Sequence, residues 1–353
     1  MVLRVASVGF GTVGRALAEM LAEKAEALRA HYQLEIVFTG ALTRSAGAWV
    51  APDGIPARAL LASGWPVGEL PAGAERFSGD GVAFARKAPA DVILELTTLQ
   101  PETGEPALSH ARTALDAGRH VVTANKGPIA HGYRDLRALA NERGVALRFE
   151  STVMDGTPIF GLAEETLPVT DIAGFEGVLN STSNYVLSRM AAGESLDDAI
   201  AGAQRLGIAE ANSAYDLEGW DVAVKATVLA NVLMGADLRP QDTRREEVGR
   251  DAMRRIHAGL LPGQVARQLV RARREGERIE VSVRTVALDG GSALAHLSGM
   301  ETALVLHTDT MRDLTIIEGE GGPGQTAFGV LADLVHIARQ YGYRGEDIPA
   351  AHS

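Results

Sequence analysis

Apolar and polar positions divide the chain into two patterns. In the first, short apolar runs alternate with stretches of helical spacing. Leu3 to Val8 reads as a strand, about Val13 to Arg29 as a helix and Leu34 to Leu42 as a strand. The Gly- and Pro-rich stretch from about 46 to 81 carries no clear period and reads as loops and short elements. Alternation then resumes: a buried strand over Asp91–Thr98, a helix over Glu105–Gly118, a strand over His120–Lys126, a helix over His131–Arg143 and a strand over Val145–Thr152. Strands spaced by helices of this length predict βαβ units around a parallel sheet. Beyond Pro158 the pattern changes to helices at about 158–166, 182–192, 196–206 and 219–235, with Ser195 and Asp198 placed as a variant capping box. Residues 278–318 turn strand-like again, and a Gly-rich stretch over 319–324 leads into a last helix at about 325–340.

Composition narrows the classes open to this pattern. The 353 residues are 46% hydrophobic, enough for two domains, or for one domain inserted in another. No apolar run reaches the roughly 18 residues of a membrane span, and the N-terminus lacks the basic and apolar regions of a secretory leader. A cytoplasmic protein is expected. Cysteine is absent, which removes disulfides, thiolate metal sites and a cysteine nucleophile. A net charge of -11 opposes general nucleic-acid binding. The basic cluster Arg271, Arg273, Arg274 and Arg278 is interleaved with Glu275, Glu277 and Glu280 and reads as a solvated face. Lysine occurs only as Lys24, Lys87, Lys126 and Lys225 in an arginine-rich chain, so positions that need a titratable amine stand out.

Gly9-Phe10-Gly11-Thr12-Val13-Gly14 follows the first strand and opens the first helix. The first glycine permits a tight turn, the second lets backbone approach a pyrophosphate, and the third allows close helix–strand packing. The helix N-terminus favours phosphate, so this context predicts a dinucleotide site. NAD-selective sheets usually carry an acid at the end of the second strand. This strand runs instead into Thr43-Arg44-Ser45. The Arg44 guanidinium suits a 2′-phosphate, which favours NADP over NAD; the alternative is an arginine that covers the adenine or faces water. Thr97 and Thr98 end one strand and Asn125-Lys126 the next, so both pairs are expected on the nicotinamide side.

The stretch from Gly207 to Ala230 is the most informative. Glu210, Asp216, Asp221 and Lys225 lie in or before one helix, and Asp221 and Lys225, four apart, share a face. A surface pair would need a polar face, yet their neighbours are Val222, Ala223, Val224, Ala226, Val228, Leu229 and Ala230. A helix apolar nearly all round is buried, and buried charges are costly unless paired or used.

With these motifs in family order, the chain resembles homoserine dehydrogenase over essentially its whole length. The resemblance rests on Gly9–Gly14, Thr123–Pro128, Gly177–Asn184, the block holding acids at 210, 216 and 221 with Lys225, and the late stretch Thr326–Leu334. It implies an α/β fold: a Rossmann-type domain of residues 1–150 and 320–353, with an inserted α+β catalytic and dimerisation domain over 151–319. It also implies a homodimer that interconverts L-homoserine and L-aspartate 4-semialdehyde in threonine and methionine biosynthesis, without a regulatory tail. Lys225 is then the acid/base, Asp221 positions it, and Lys126 lies near cofactor and substrate. Glu210, Asp216, Asn180, Ser181 and Thr182 join Asp221 around the substrate, and Gly322 is a cofactor contact. A monovalent cation such as Na+ maps to Glu150, Val153, Asp155 and Thr157. The chain departs from the family at Ser181, where glycine is usual, and at Met154-Asp155 in the cation loop. The first departure keeps a related hydroxy or amino acid open as substrate. A cofactor-binding sensor without turnover is the alternative from a different class.

Overall fold

The computed structural model describes residues 1–206, 208–209, 214–249, 251–254, 260–298 and 300–341. The chain divides into two compact units, one comprising Met1–Pro158 and the residues from Gly322 on, the other Ile159–Gly321.

The first unit contains β1 (Val2–Val8), α1 (Thr12–Tyr32), β2 (Glu35–Thr43), β3 (Gly47–Pro56), α2 (Ala57–Ser63), β4 (Glu75–Phe77), α3 (Gly81–Lys87), β5 (Val92–Glu95), α4 (Ala107–Asp116), β6 (His120–Thr123), α5 (Lys126–Arg143) and β7 (Leu147–Arg148). Its sheet runs β4-β3-β2-β1-β5-β6-β7. Strands β2, β1, β5, β6 and β7 are parallel, and β3 and β4 add antiparallel strands at one edge. β5 is buried throughout, as a central parallel strand must be.

Several boundaries differ from the sequence reading. The stretch from 46 to 81 holds the ten-residue β3, whose Pro52, Gly54 and Pro56 disguise it. These residues are tolerated because β3 is bulged against β2 and lies near the sheet edge. The Asp91–Thr98 strand ends at Glu95, so Thr97 and Thr98 stand beyond it. The next strand ends at Thr123. Asn125 then caps α5 by accepting from the Gly127 N–H at 2.8 Å, making Lys126 a first helical residue rather than a last strand residue. The expected strand over Val145–Thr152 shrinks to Leu147–Arg148 and continues as a 3-10 turn.

The second unit contains α6 (Phe160–Thr166), β8 (Ile172–Val178), α7 (Ser181–Ala191), α8 (Leu196–Arg205), α9 (Ala214–Leu217), α10 (Trp220–Leu233), β9 (Arg244–Arg245), β10 (Gln264–Glu275), β11 (Arg278–Asp289), β12 (Thr302–Thr308) and β13 (Arg312–Glu318). The sheet order is β13-β12-β8-β10-β11-β9, with β8 bonded antiparallel to both β10 and β12. Neither β8 nor β10 was legible in the hydrophobic pattern. β8 carries glycines at 174 and 177, and β10 carries Arg267, Arg271, Arg273 and Arg274. The basic cluster lies on β10 and β11, and Arg273, Arg274 and Arg278 are exposed with Glu275, Glu277 and Glu280, the solvated face expected. Arg271 Nε donates to Glu176 at 2.9 Å, directly across the β10–β8 ladder, and Arg274 donates to the Met234 carbonyl at 2.8 Å. The Ser195 cap forms as read, accepting from the Asp198 N–H at 3.1 Å.

The last helix, α11 (Pro323–Gln340), belongs to the first unit and buries Val330, Leu331, Leu334 and Ile337 in the same core as Leu17, Leu21 and Leu28 of α1. Its close approach to the Ser151–Thr157 loop depends on glycine. A Cβ on Gly156 would stand 2.1 Å from the Gln325 carbonyl oxygen, and one on Gly329 would stand 2.3 Å from Ser151 Oγ.

Candidate active site

In the first unit, the glycine turn joins β1 to α1. Gly9 has φ +93°, and a Cβ there would lie 2.6 Å from the Leu96 carbonyl oxygen. A Cβ on Gly14 would lie 3.1 Å from the Phe10 ring, the tight packing expected of the third glycine. Gly11 differs: nothing stands within 4 Å of its Cβ position, and both Gly11 and Thr12 are exposed. No side chain caps the 21-residue α1 at Gly11, so its first N–H groups present a positive pole to an anion. An open glycine before an uncapped helix fits a pyrophosphate.

Arg44 stands just past β2, exposed, in a turn closed by the Ala46 N–H bond to Thr43 Oγ1 at 3.0 Å. Thr97 and Asn125 come together: Asn125 Nδ2 donates to the Thr97 carbonyl at 3.0 Å and to its hydroxyl at 3.3 Å. Thr98 is exposed beside them, Lys126 starts α5 half-buried, and Gly322 forms the N-cap of α11. The pattern gave no role to Glu95. This acid is fully buried, and it accepts from the Thr97 N–H at 2.9 Å and from the Thr97 hydroxyl. His110 Nδ1 lies 2.7 Å from its other oxygen. A lone acid inside the apolar run Asp91–Thr98 was the available signal.

In the second unit, α10 is buried from Val222 to Asn231 on all but a narrow stripe. On that stripe Lys225 Nζ lies 3.2 Å from Asp221 Oδ2, both side chains being about 15% exposed (15% and 16%). Nζ also donates to the Leu179 carbonyl at 2.7 Å, in the turn between β8 and α7. Asn180 is the hub. Its Oδ1 caps α7 through the Ser183 N–H at 2.8 Å. Its Nδ2 donates to Asp216 Oδ1 at 2.9 Å and to Asp221 Oδ2 at 3.1 Å. Burial pushes the Asp216 carboxyl above its ordinary range, and the neighbouring Asp221 charge pushes it further, against the bonds from Asn180 and Thr182 and the charge of Lys225. Thr182 also donates to the Ile208 carbonyl at 3.0 Å. Ser181 is the first residue of α7, beside this cluster in sequence. Glu210 lies outside the described residues.

The proposed cation loop folds around a 3-10 turn. Glu150 and Val153 are buried, Asp155 takes φ +38° and receives a bond from Thr326 Oγ1 at 2.9 Å, and the Thr157 N–H donates to the Met154 carbonyl at 2.8 Å. Among the described residues no group of three His, Cys, Asp or Glu side chains could hold a metal ion. A cation here would depend on backbone carbonyls.

Comparison with known proteins gives a consistent answer. The family model described as homoserine dehydrogenase matches residues 158–335, and the one described as homoserine dehydrogenase, NAD binding domain, matches residues 9–150. The chain is 35% identical to the NAD(+)-dependent homoserine dehydrogenase of Pseudomonas canavaninivorans, over 95% of this chain and 96% of that one. It is 32% identical to the homoserine dehydrogenase of Methanocaldococcus jannaschii, over 94% and 97%. Among solved structures, it resembles a hyperthermophilic archaeal homoserine dehydrogenase in complex with NADPH with TM-score 0.79 and 27% identity, over 96% and 98% of the two chains. It resembles the Thiobacillus denitrificans homoserine dehydrogenase with TM-score 0.80 and 27% identity, over 97% and 74%.

Proposed function

The chain belongs to the homoserine dehydrogenase family, and on that premise we propose how its residues divide the work of an NAD(P)-dependent oxidoreductase acting on a CH–OH group. The reaction interconverts L-homoserine and L-aspartate 4-semialdehyde. The observation that carries the assignment of roles is the cluster in the second unit, where one lysine amine is held by Asp221 and the Leu179 carbonyl beside a second, strained carboxylate, Asp216.

Lys225 takes the proton of the substrate hydroxyl in oxidation and returns it in reduction. Asp221 and the Leu179 carbonyl orient Nζ, so the amine needs little reorganisation when the proton moves. Asp216, with Asn180 and Thr182, receives the substrate's ammonium group, whose charge offsets the repulsion between Asp216 and Asp221. Glu210 and Ser181 complete the substrate's surroundings. The nicotinamide cofactor, when bound, accepts or supplies the hydride. The chain holds it at Gly9, Phe10, Gly11, Thr12, Val13 and Gly14, with Thr97, Thr98, Lys126 and Gly322 towards its reactive end.

NADP is the preferred cofactor on the charge and exposure of Arg44. The relatives' names point both ways, to NAD(+) in one and to NADPH in the other. A monovalent cation such as Na+ at Glu150, Val153, Asp155 and Thr157 has its support in the buried, sharply turned loop. Homodimerisation through the second unit has its support in the family resemblance and in the half-exposed Met311 and Ile317 on the β12–β13 hairpin. Among the described residues no helix is long and apolar enough to cross a membrane, which suits a cytoplasmic location. The test is the ultraviolet absorbance of reduced cofactor on mixing protein, homoserine and NADP or NAD. Turnover of homoserine is the expected result; inertness towards it with both cofactors would overturn the assignment.

A further inference from the structure

Glu95 has no part in the roles above, yet its position is singular. It closes β5 at 0% exposure, in register with Val8 of β1 on one side and Thr123 of β6 on the other. Val8 is the residue before the glycine turn. Gly9 packs so closely on the Leu96–Thr97 backbone that a Cβ there would stand 2.9 Å from the Thr97 nitrogen. The chain winds outward from β1 to β2, β3 and β4, then returns to β5, β6 and β7. The β1–β5 boundary is therefore the point where strand order reverses, and dinucleotides lie outside the strand ends at such a point. With Arg44 and the adenosine half on the β2 side, the nicotinamide end falls to the β5 side.

Every group bonded to the Glu95 side chain can donate to it. The Thr97 N–H at 2.9 Å and the Thr97 hydroxyl meet one oxygen, and His110 Nδ1 at 2.7 Å meets the other. Donors on both oxygens satisfy the acceptor capacity of a buried carboxylate. Charge at low effective dielectric acts over longer range than in water.

We infer that Glu95 biases the site towards the oxidised cofactor, its fixed negative charge beneath the nicotinamide end favouring the ring while that ring is positive. Hydride addition makes the ring neutral and removes the attraction. The inference rests on the dinucleotide reading of the first unit. A purely structural Glu95 that tied Thr97 to α4 through His110 would change the affinity for both cofactor forms alike. A charge splits them.

The experiment measures Kd for the oxidised and reduced forms of the preferred cofactor by calorimetry, in wild type, Glu95→Gln and Glu95→Asp. The Gln variant keeps the shape and an acceptor for Thr97. It should raise the ratio of oxidised to reduced Kd about five- to tenfold. The Asp variant keeps the charge and should keep the ratio within about twofold of wild type. Should the Gln variant fail to fold, Glu95→Met carries the same expectation. A ratio unchanged in the neutral variant, whether both forms weaken together or neither does, overturns the inference and leaves the dinucleotide reading intact. Wild-type protein that binds neither form removes that reading, and the inference with it.

Discussion

At the scale of single residues, the site depends on groups whose charge or proton can be changed without changing their shape much. In the proposed reaction Lys225 releases a proton, which arginine does not do in proteins. Lys225→Arg is expected to fold and bind cofactor while losing roughly a hundredfold or more in turnover. Steady-state rates near wild type would take Lys225 out of the mechanism. Asp216 allows a test with opposite signs for stability and function. Its native pKa is raised, first by burial and then by Asp221. The stability it contributes is thus full below the unfolded value of 3.8 and is lost as pH rises through the native value. In the free protein the cost of that burial and repulsion falls on the charged form. Asp216→Asn should raise the melting temperature at pH 7, with the gain shrinking as pH is lowered towards 3.8, while KM for homoserine rises. A lower melting temperature at neutral pH would contradict the cause given for the shift. Arg44→Ala should weaken NADP binding by about 1.5–3 kcal/mol and change NAD binding far less. Equal losses would show that Arg44 does not read the 2′-phosphate.

Elements explain which of these residues could be found from sequence. Asp221 and Lys225 were legible because α10 is apolar on nearly every other position, so their shared stripe was conspicuous. Asn180 was named by resemblance, but its work as cap of α7 and bridge between two aspartates arises only when α7, α9 and α10 pack. Glu95 is the last residue of β5, where the apolar pattern predicts strand as far as Thr98. A further element-scale consequence lies at the start of β6. His120 Nδ1 accepts the Ala146 N–H at 2.9 Å, while the ring packs on Tyr341 with centroids 4.6 Å apart. Burial lowers its pKa from 6.5, against the charge of Asp91. Below that value the unfolded chain binds a proton more readily than the native one, so stability falls as pH drops from about 6.5 through the native value. Replacing His120 by glutamine should flatten the melting temperature profile as pH falls below 6.5. An unchanged slope would locate the acid sensitivity elsewhere.

At the scale of the whole molecule, the proposed substrate bears an ammonium group. Asp216 and Asp221, with Glu210 in the same stretch of sequence, give the site an excess of negative charge over Lys225. A ligand with the same alcohol and carboxylate but no amine leaves those carboxylates unpaired. Sites built to pair a group reject the analogue lacking it far more strongly than they reject a missing methylene. Discrimination between homoserine and 4-hydroxybutyrate is therefore expected to reach at least about a thousandfold in kcat/KM. A ratio below ten would mean the carboxylates serve something other than the substrate amine. Ser181 bears on the same comparison: activity with homoserine only after Ser181→Gly would keep the family and change the substrate.

The sequence by itself determined whatever follows from local period and local sterics. The strand–glycine turn–helix opening, the buried α10 and the Ser195 cap each follow from residues within a few positions of one another. Tertiary structure decided what depends on partners far along the chain. β8 and β10 form a ladder although one is glycine-rich and the other arginine-rich, because Glu176 and Arg271 meet only across that ladder. β3 survives its prolines because its bulge against β2 excuses missing donors. Glu95 became more than an odd acid in an apolar run only when Thr97 and His110, 2 and 15 residues away, were folded onto its oxygens. A pattern records which faces will be buried; it does not record which donor will stand opposite a buried acceptor, because that is fixed by packing between elements.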